Sequence, residues 1–259
     1  MGLLKRSLCF AVAAAMWCSA AAAVTVNDDY VGGDPTLAGD YGSDVIGAFS
    51  AYDISHMTVD LTNGVLSIGV FSQYFDHVGR SGTQMGDLFI STNGWTPFGA
   101  APYPDDTFLN GTSWEIALVL SDHGSSAANA LTEESFVGDS GVLSAFSVNP
   151  AQVLMSYLTT STGFRADQAV QYLPGQQDSL AQGTWSILPG ANGYAELLMT
   201  INLGQAFSSL DQDWAAHWTM TCANDVIEGG GAADVPEAGT LALLGSGLLG
   251  LLIRRKRSS

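Results

Sequence analysis

Between Ser7 and Ile253 the chain has almost no positive charge: Arg80 and Arg165 are the only basic residues there, and the other six are Lys5, Arg6, Arg254, Arg255, Lys256 and Arg257. All 25 acidic residues fall from Asp28 to Glu237, so that span carries about −23 within a chain of net charge −17. Such a field repels phosphate backbones and anionic lipid and attracts cations, which excludes nucleic acid as a partner. Cysteine is also scarce. Cys9 and Cys18 lie in the first 23 residues, which leaves Cys222 alone in the remainder and no intrachain disulfide there. A lone thiol in a half-buried strand reads as a small hydrophobe, with pairing between molecules as the alternative. No Gly-x-Ser-x-Gly elbow or phosphate-binding loop occurs, and His56, His77, His123 and His217 are scattered without metal-ligand spacing. Helical periodicity is weak: Thr132 to Phe136 and Ala151 to Leu158 suit a short helix or turn, with Pro150 at a first helical position.

What the chain does have is apolar surface, with 47% hydrophobic and 10% aromatic residues, enough to offset the entropy of folding despite the charge. Apolar and polar residues alternate in short runs separated by turn residues, the pattern of antiparallel strands. The clearest hairpin pairs Met57, Val59 and Leu61 with Leu66, Ile68 and Val70 across Asn63-Gly64, a two-residue turn. Further strands are expected at Leu88 and Ile90, at Trp114 to Leu120, around Trp185 and Ile187 before a Pro189-Gly190 turn, from Tyr194 to Leu203, and lastly from about Ala216 to Cys222. The fold class is therefore all-β, an antiparallel sandwich of jelly-roll or concanavalin-like type. Asp44-Val45-Ile46-Gly47 echoes Asp225-Val226-Ile227, and the two segments are candidates to lie side by side where the ends of the domain meet; chance similarity is the other reading.

Both ends are addresses. Lys5 and Arg6, an apolar run from Leu8 to Trp17 and then Ser19-Ala20-Ala21-Ala22-Ala23 follow the order of a secretory signal, with cleavage by signal peptidase expected after Ala23. At the other end come Asp234-Val235-Pro236-Glu237-Ala238, an apolar run studded with glycine from Leu241 to Ile253, and the Arg254-Arg255-Lys256-Arg257 cluster. That run spans only ~21 Å as a helix against a ~30 Å hydrocarbon core, and the basic cluster after it should stay cytoplasmic. The domain boundaries are thus a signal peptide at 1–23, an acidic β domain of roughly 210 residues at 24–234, and a sorting tail at 235–259.

Pro236-Glu237, the hydrophobic run and the Arg cluster together resemble the PEP-CTERM sorting signal of Gram-negative bacteria that make exopolysaccharide, with Ala238 where a second proline is usual. The resemblance implies transient anchoring in the inner membrane, cleavage near Pro236 and Glu237 by a membrane-embedded exosortase, and delivery to the cell surface or extracellular matrix. Tyr30 to Asp34, Gly42 to Gly47, Gly86 to Ile90 and His217 to Gly229 also resemble a recurring ectodomain of such proteins, which brings no activity with it. The function expected is that of a non-catalytic surface or matrix protein associated with exopolysaccharide; a carbohydrate-binding module is the alternative, and a glycoside hydrolase comes third.

Three chemistries are readable in the middle of the chain. Asp28, Asp29, Asp34, Asp40 and Asp44 are clustered among glycines, an oxygen-rich set that suits calcium, though no complete calcium loop is spelled out and solvated acidic loops are the simpler reading; Asp105-Asp106 and Asp225 are lesser candidates. Trp95 and Tyr103 sit in proline-flanked, loop-like sequence and are the aromatics placed to stack on sugar rings. Glu115 and Glu196 are the pair a hydrolase would need within ~5–9.5 Å of each other.

Overall fold

The computed structural model describes residues 23–29, 32, 45–62, 64–124, 133–156, 165–204 and 213–232, all within one compact unit, Ala21–Val235. The described residues form twelve strands: β1 (Val24–Asn27), β2 (Ile54–Thr62), β3 (Val65–Ser72), β4 (Leu88–Ser91), β5 (Ile116–Leu120), β6 (Ser140–Ser147), β7 (Val153–Met155), β8 (Ala169–Tyr172), β9 (Ala181–Leu188), β10 (Ala195–Asn202), β11 (Asp213–Thr219) and β12 (Val226–Ala232). Ten of them form one antiparallel sheet in the order β1-β2-β3-β10-β9-β6-β5-β4-β11-β12. The antiparallel all-β architecture is the one the alternation predicts. A single sheet, curled round its core until it is nearly a barrel, supplies the opposed layers.

Alternation decides which side chains face inward. On β2 and β3, Met57, Val59, Leu66, Ile68 and Val70 are buried, and the register Leu61↔Leu66 and Thr62↔Val65 is what a two-residue turn imposes. Gly64 in that turn has φ +78°, which glycine adopts without steric cost. Leu197, Met199 and Ile201 of β10, Trp185 and Ile187 of β9, Leu118 and Leu120 of β5, and Trp214 and Trp218 of β11 complete the inner core. Each such side chain contributes about 1.5–3 kcal/mol on full burial. The edge strands β1 and β12 meet without a hydrogen-bonded ladder: Gly229 lies so close to Val26 that a Cβ there would come within 2.5 Å of it.

The β4–β5–β11 region is buried on both faces. Its outer side carries Phe89, Ala117 and Ala215, which pack with Trp114, Phe146 and Tyr172 beneath the separate two-stranded β7–β8 sheet. Trp114 therefore belongs to this second cluster and precedes its strand rather than sharing a face with Ile116. Of the two segments read as a short helix or turn, the second begins as one 3-10 turn, Pro150–Gln152, with Pro150 at its start and β7 directly after it, while in the first Glu134 makes an isolated bridge to Val78. The chain also continues past Cys222 into β12, whose Val-Ile-Glu-Gly-Gly-Gly-Ala sequence has little alternation to announce a strand.

Candidate functional site

The side chains with chemistry to offer are drawn together around β11 and β12. Antiparallel register sets His217 opposite Glu228, both buried, with Nδ1 3.0 Å from Oε2. The other ring nitrogen donates to the carbonyl of Ala169 at 2.9 Å. Glu228 Oε1 accepts from the indole N–H of Trp95 at 3.0 Å and from the Thr112 hydroxyl at 3.2 Å. A buried carboxylate needs such donors to offset its desolvation, and here the indole and the hydroxyl come from the two ends of the 92–113 loop. The result fixes the 92–113 loop against the sheet.

Asp87 does the same work at a second point. Fully buried, it accepts from Leu120 N at 3.0 Å, Tyr172 N at 2.8 Å and His123 Nε2 at 2.7 Å, tying β5, β8 and the loop after β5 together. Burial works against protonation of His123, but the bond to Asp87 and the charges of Asp87 and Asp122 outweigh it and raise its pKa. Buried Arg165 donates to the carbonyl of Asn224 at 2.9 Å and faces Asp225 Oδ1 at 3.5 Å, while Asp225 Oδ2 accepts from Ile54 N at 2.6 Å. Ile46 N donates to Asn224 O at 2.7 Å, so the described part of the first echoed segment lies against the residue just before the second, while Asp44 lies outside the described residues.

Trp95 and Tyr103 are brought together. Their ring centroids are 5.4 Å apart at 74°, edge to face, and both pack on Ala223 and Val226. They do not form one flat platform; Trp95 instead lines a cleft of about 280 Å³ with Asn93, Gly94, Thr96, Asp213, Trp214, Gly230 and Gly231. A larger open cleft of about 410 Å³ is lined by Gln84, Leu154, Met155, Val170, Gln171 and Cys222 among others. Burial pushes the Cys222 thiol up to about 12, so at neutral pH it holds little of the thiolate that reacts.

Other residues singled out in the sequence fall elsewhere. Asp28 and Asp29 follow β1, whereas Asp34, Asp40 and Asp44 lie outside the described residues; among the described residues no group of three or more His, Cys, Asp or Glu side chains is arranged to hold a metal. Asp106 is buried and accepts from Phe98 N at 2.8 Å, a loop-shaping role, and Asp225 faces Arg165. Glu115 lies just before β5, where it accepts from Thr92 N at 2.8 Å and the Ser113 hydroxyl at 2.9 Å. Glu196 is on β10, three strands away and near the opposite end of β6. About ten residues along the strands separate them, on the order of 30 Å, well beyond the span of a glycosidic acid–base pair. Glu196 lies over Gly69 beside Thr58, and burial raises its pKa.

Sequence reasoning missed Asp87, His217, Glu228 and Arg165 as a set. The available signal was composition: in a span this acidic, two arginines and a few histidines are the only cationic side chains a buried carboxylate could pair with. The tail residues Pro236, Glu237, Ala238, Arg254, Arg255, Lys256 and Arg257 lie outside the described residues. Neither a curated protein nor a solved structure matches the chain. Residues 234–257 match the family described as the PEP-CTERM protein-sorting motif, and the chain therefore carries the C-terminal sorting signal of an exported protein targeted to an exosortase.

Proposed function

We propose that this is a non-catalytic surface or extracellular-matrix protein of a Gram-negative bacterium, exported by a cleaved signal peptide, held briefly in the inner membrane and released by exosortase to associate with exopolysaccharide. The observation that carries the reading is the sorting motif at 234–257, set behind an acidic β domain. Two features of the domain support it. Its buried carboxylates are engaged as acceptors that hold loops to the sheet, and Glu115 and Glu196 stand too far apart to act on one bond. Its charge keeps it clear of anionic surfaces and leaves neutral polymers as the matrix component it can approach closely.

The test is replacement of Pro236 and Glu237 by Ala in the native host, followed by fractionation. The reading expects the variant to stay in the membrane fraction with its tail attached. Unchanged release would refute it. A second reading, that the domain is itself a carbohydrate-binding module, is favoured by one observation: the cleft at Trp95.

A further inference from the structure

We infer that the cleft beside Trp95 is a binding site for a single uncharged sugar ring. The inference deepens the matrix reading, which supplies the neutral polymer, and it rests on how the cleft is built.

Binding an apolar sugar face needs an aromatic surface already held in place, since a ring that must be immobilised on binding costs entropy. Trp95 meets that condition. Its N–H is bonded to Glu228, which is buried and held in turn by His217 and Thr112, and its ring is braced edge to face by Tyr103. The side chain is nevertheless only half-buried and lines the cleft, whereas the Trp214 ring is buried in the inner core. Beside the Trp95 indole are three polar side chains, Asn93, Thr96 and Asp213. None of the three forms a side-chain hydrogen bond with the described residues, so each is available to a ligand hydroxyl. The floor is backbone: Gly230 approaches so closely that a Cβ would lie 2.1 Å from the Trp214 carbonyl oxygen and 2.9 Å from Trp95 Cβ. At about 280 Å³ the cleft is at or below the ~300–1,000 Å³ of sites for drug-sized ligands, a size for one ring of a chain that continues into solvent.

Charge selects among sugars. Asp213 has no basic neighbour in the cleft, Arg80 is paired with Glu133 at 2.8 Å, and Arg165 is buried beside Asp225. A uronate or sulfated sugar would bring its charge to a carboxylate with no cation to meet it. Neutral hexoses and N-acetylhexosamines offer an apolar face to the indole and hydroxyls to Asn93, Thr96 and Asp213.

The experiment uses the processed protein purified from its host, titrated by calorimetry and indole fluorescence with neutral hexasaccharides of glucose, galactose, mannose and N-acetylglucosamine, and with oligogalacturonate as the anionic probe. At least one neutral probe should bind and oligogalacturonate should not. Trp95→Ala should weaken that binding by roughly tenfold or more. Because Trp95→Ala also unpicks the Glu228 network, the second variant is Asn93→Ala/Asp213→Ala, which removes exposed side chains that hold nothing in the fold; it should keep the wild-type melting temperature and lose a similar factor. Absence of binding to every neutral probe, stronger binding of oligogalacturonate, or full affinity in the double variant would each overturn the site. Those results leave the sorting reading standing, since that reading is tested by the processing of the chain's ends and not by sugar binding.

Discussion

Asp87→Ala should be the most damaging single truncation of a polar side chain in the domain. The carboxylate is fully buried and accepts from Leu120 N, Tyr172 N and His123 Nε2 at 3.0, 2.8 and 2.7 Å. Removing it strands two backbone N–H groups away from water, at about 1–3 kcal/mol each, and deletes a short bond to a histidine ring worth about 1.5–3 kcal/mol when charged. The sum, about 3.5–9 kcal/mol, is a large share of the ~5–15 kcal/mol that holds a domain folded. With a slope of about 2 kcal/mol per molar urea, the unfolding midpoint should fall by about 2–4.5 M. Urea titration followed by tryptophan fluorescence reads this directly, because Trp185 and Trp218 lie in the inner core. Asp213→Ala, at an exposed carboxylate, is the control and should move stability by less than about 0.5 kcal/mol. A midpoint for Asp87→Ala within 0.5 M of that control, taking about 2 kcal/mol per molar as the slope, would refute the reasoning that buried acceptors, rather than apolar packing alone, hold β5 and β8 together.

The raised pKa of His123 makes its stabilisation complete below its ordinary value near 6.5 and lost as pH rises through the higher folded value, so the gap in melting temperature between wild type and His123→Gln should narrow from pH 6 to pH 9; a constant gap contradicts the pairing. Glu196 has the opposite consequence at neutral pH: burial raises its pKa, so the ionised form is the disfavoured one in the fold, and Glu196→Gln should melt at the same or a higher temperature at pH 7 but gain nothing at pH 4. Gly86→Ala should cost about 3 kcal/mol or more by thermal unfolding, since a Cβ there would sit 1.8 Å from the backbone oxygen of Thr219 and 2.8 Å from that of Val170, neither of which can rotate away.

Local pattern made the antiparallel strands legible, above all the β2–β3 hairpin, because its alternation and its Asn-Gly turn point the same way. Where the structure departs from that reading, tertiary context is the cause. β5 is buried on both faces, so period-two alternation could not place Trp114, and β12 is built of glycines because Val26 and Trp95 crowd against it. Glu228 is inconspicuous in sequence for the same reason. Its importance comes from a register opposite His217 and from a tryptophan 133 positions earlier, neither of which leaves a local trace. Trp95 and Tyr103 were recognisable as a pair because prolines flag their loop. That one ring braces the other and leaves only Trp95 facing the cleft could be known only from the fold. The tail, whose meaning lies in the order of a motif, an apolar run and a basic cluster, was readable without any three-dimensional information.

Intact-mass spectrometry of the protein recovered from the medium and matrix of its own host tests the central claim most directly. The account predicts a chain that begins at Val24 and ends near Pro236 and Glu237, without the apolar run and the arginine cluster. Recovery of the full 259-residue chain from the cytoplasm, with neither end removed, would contradict it.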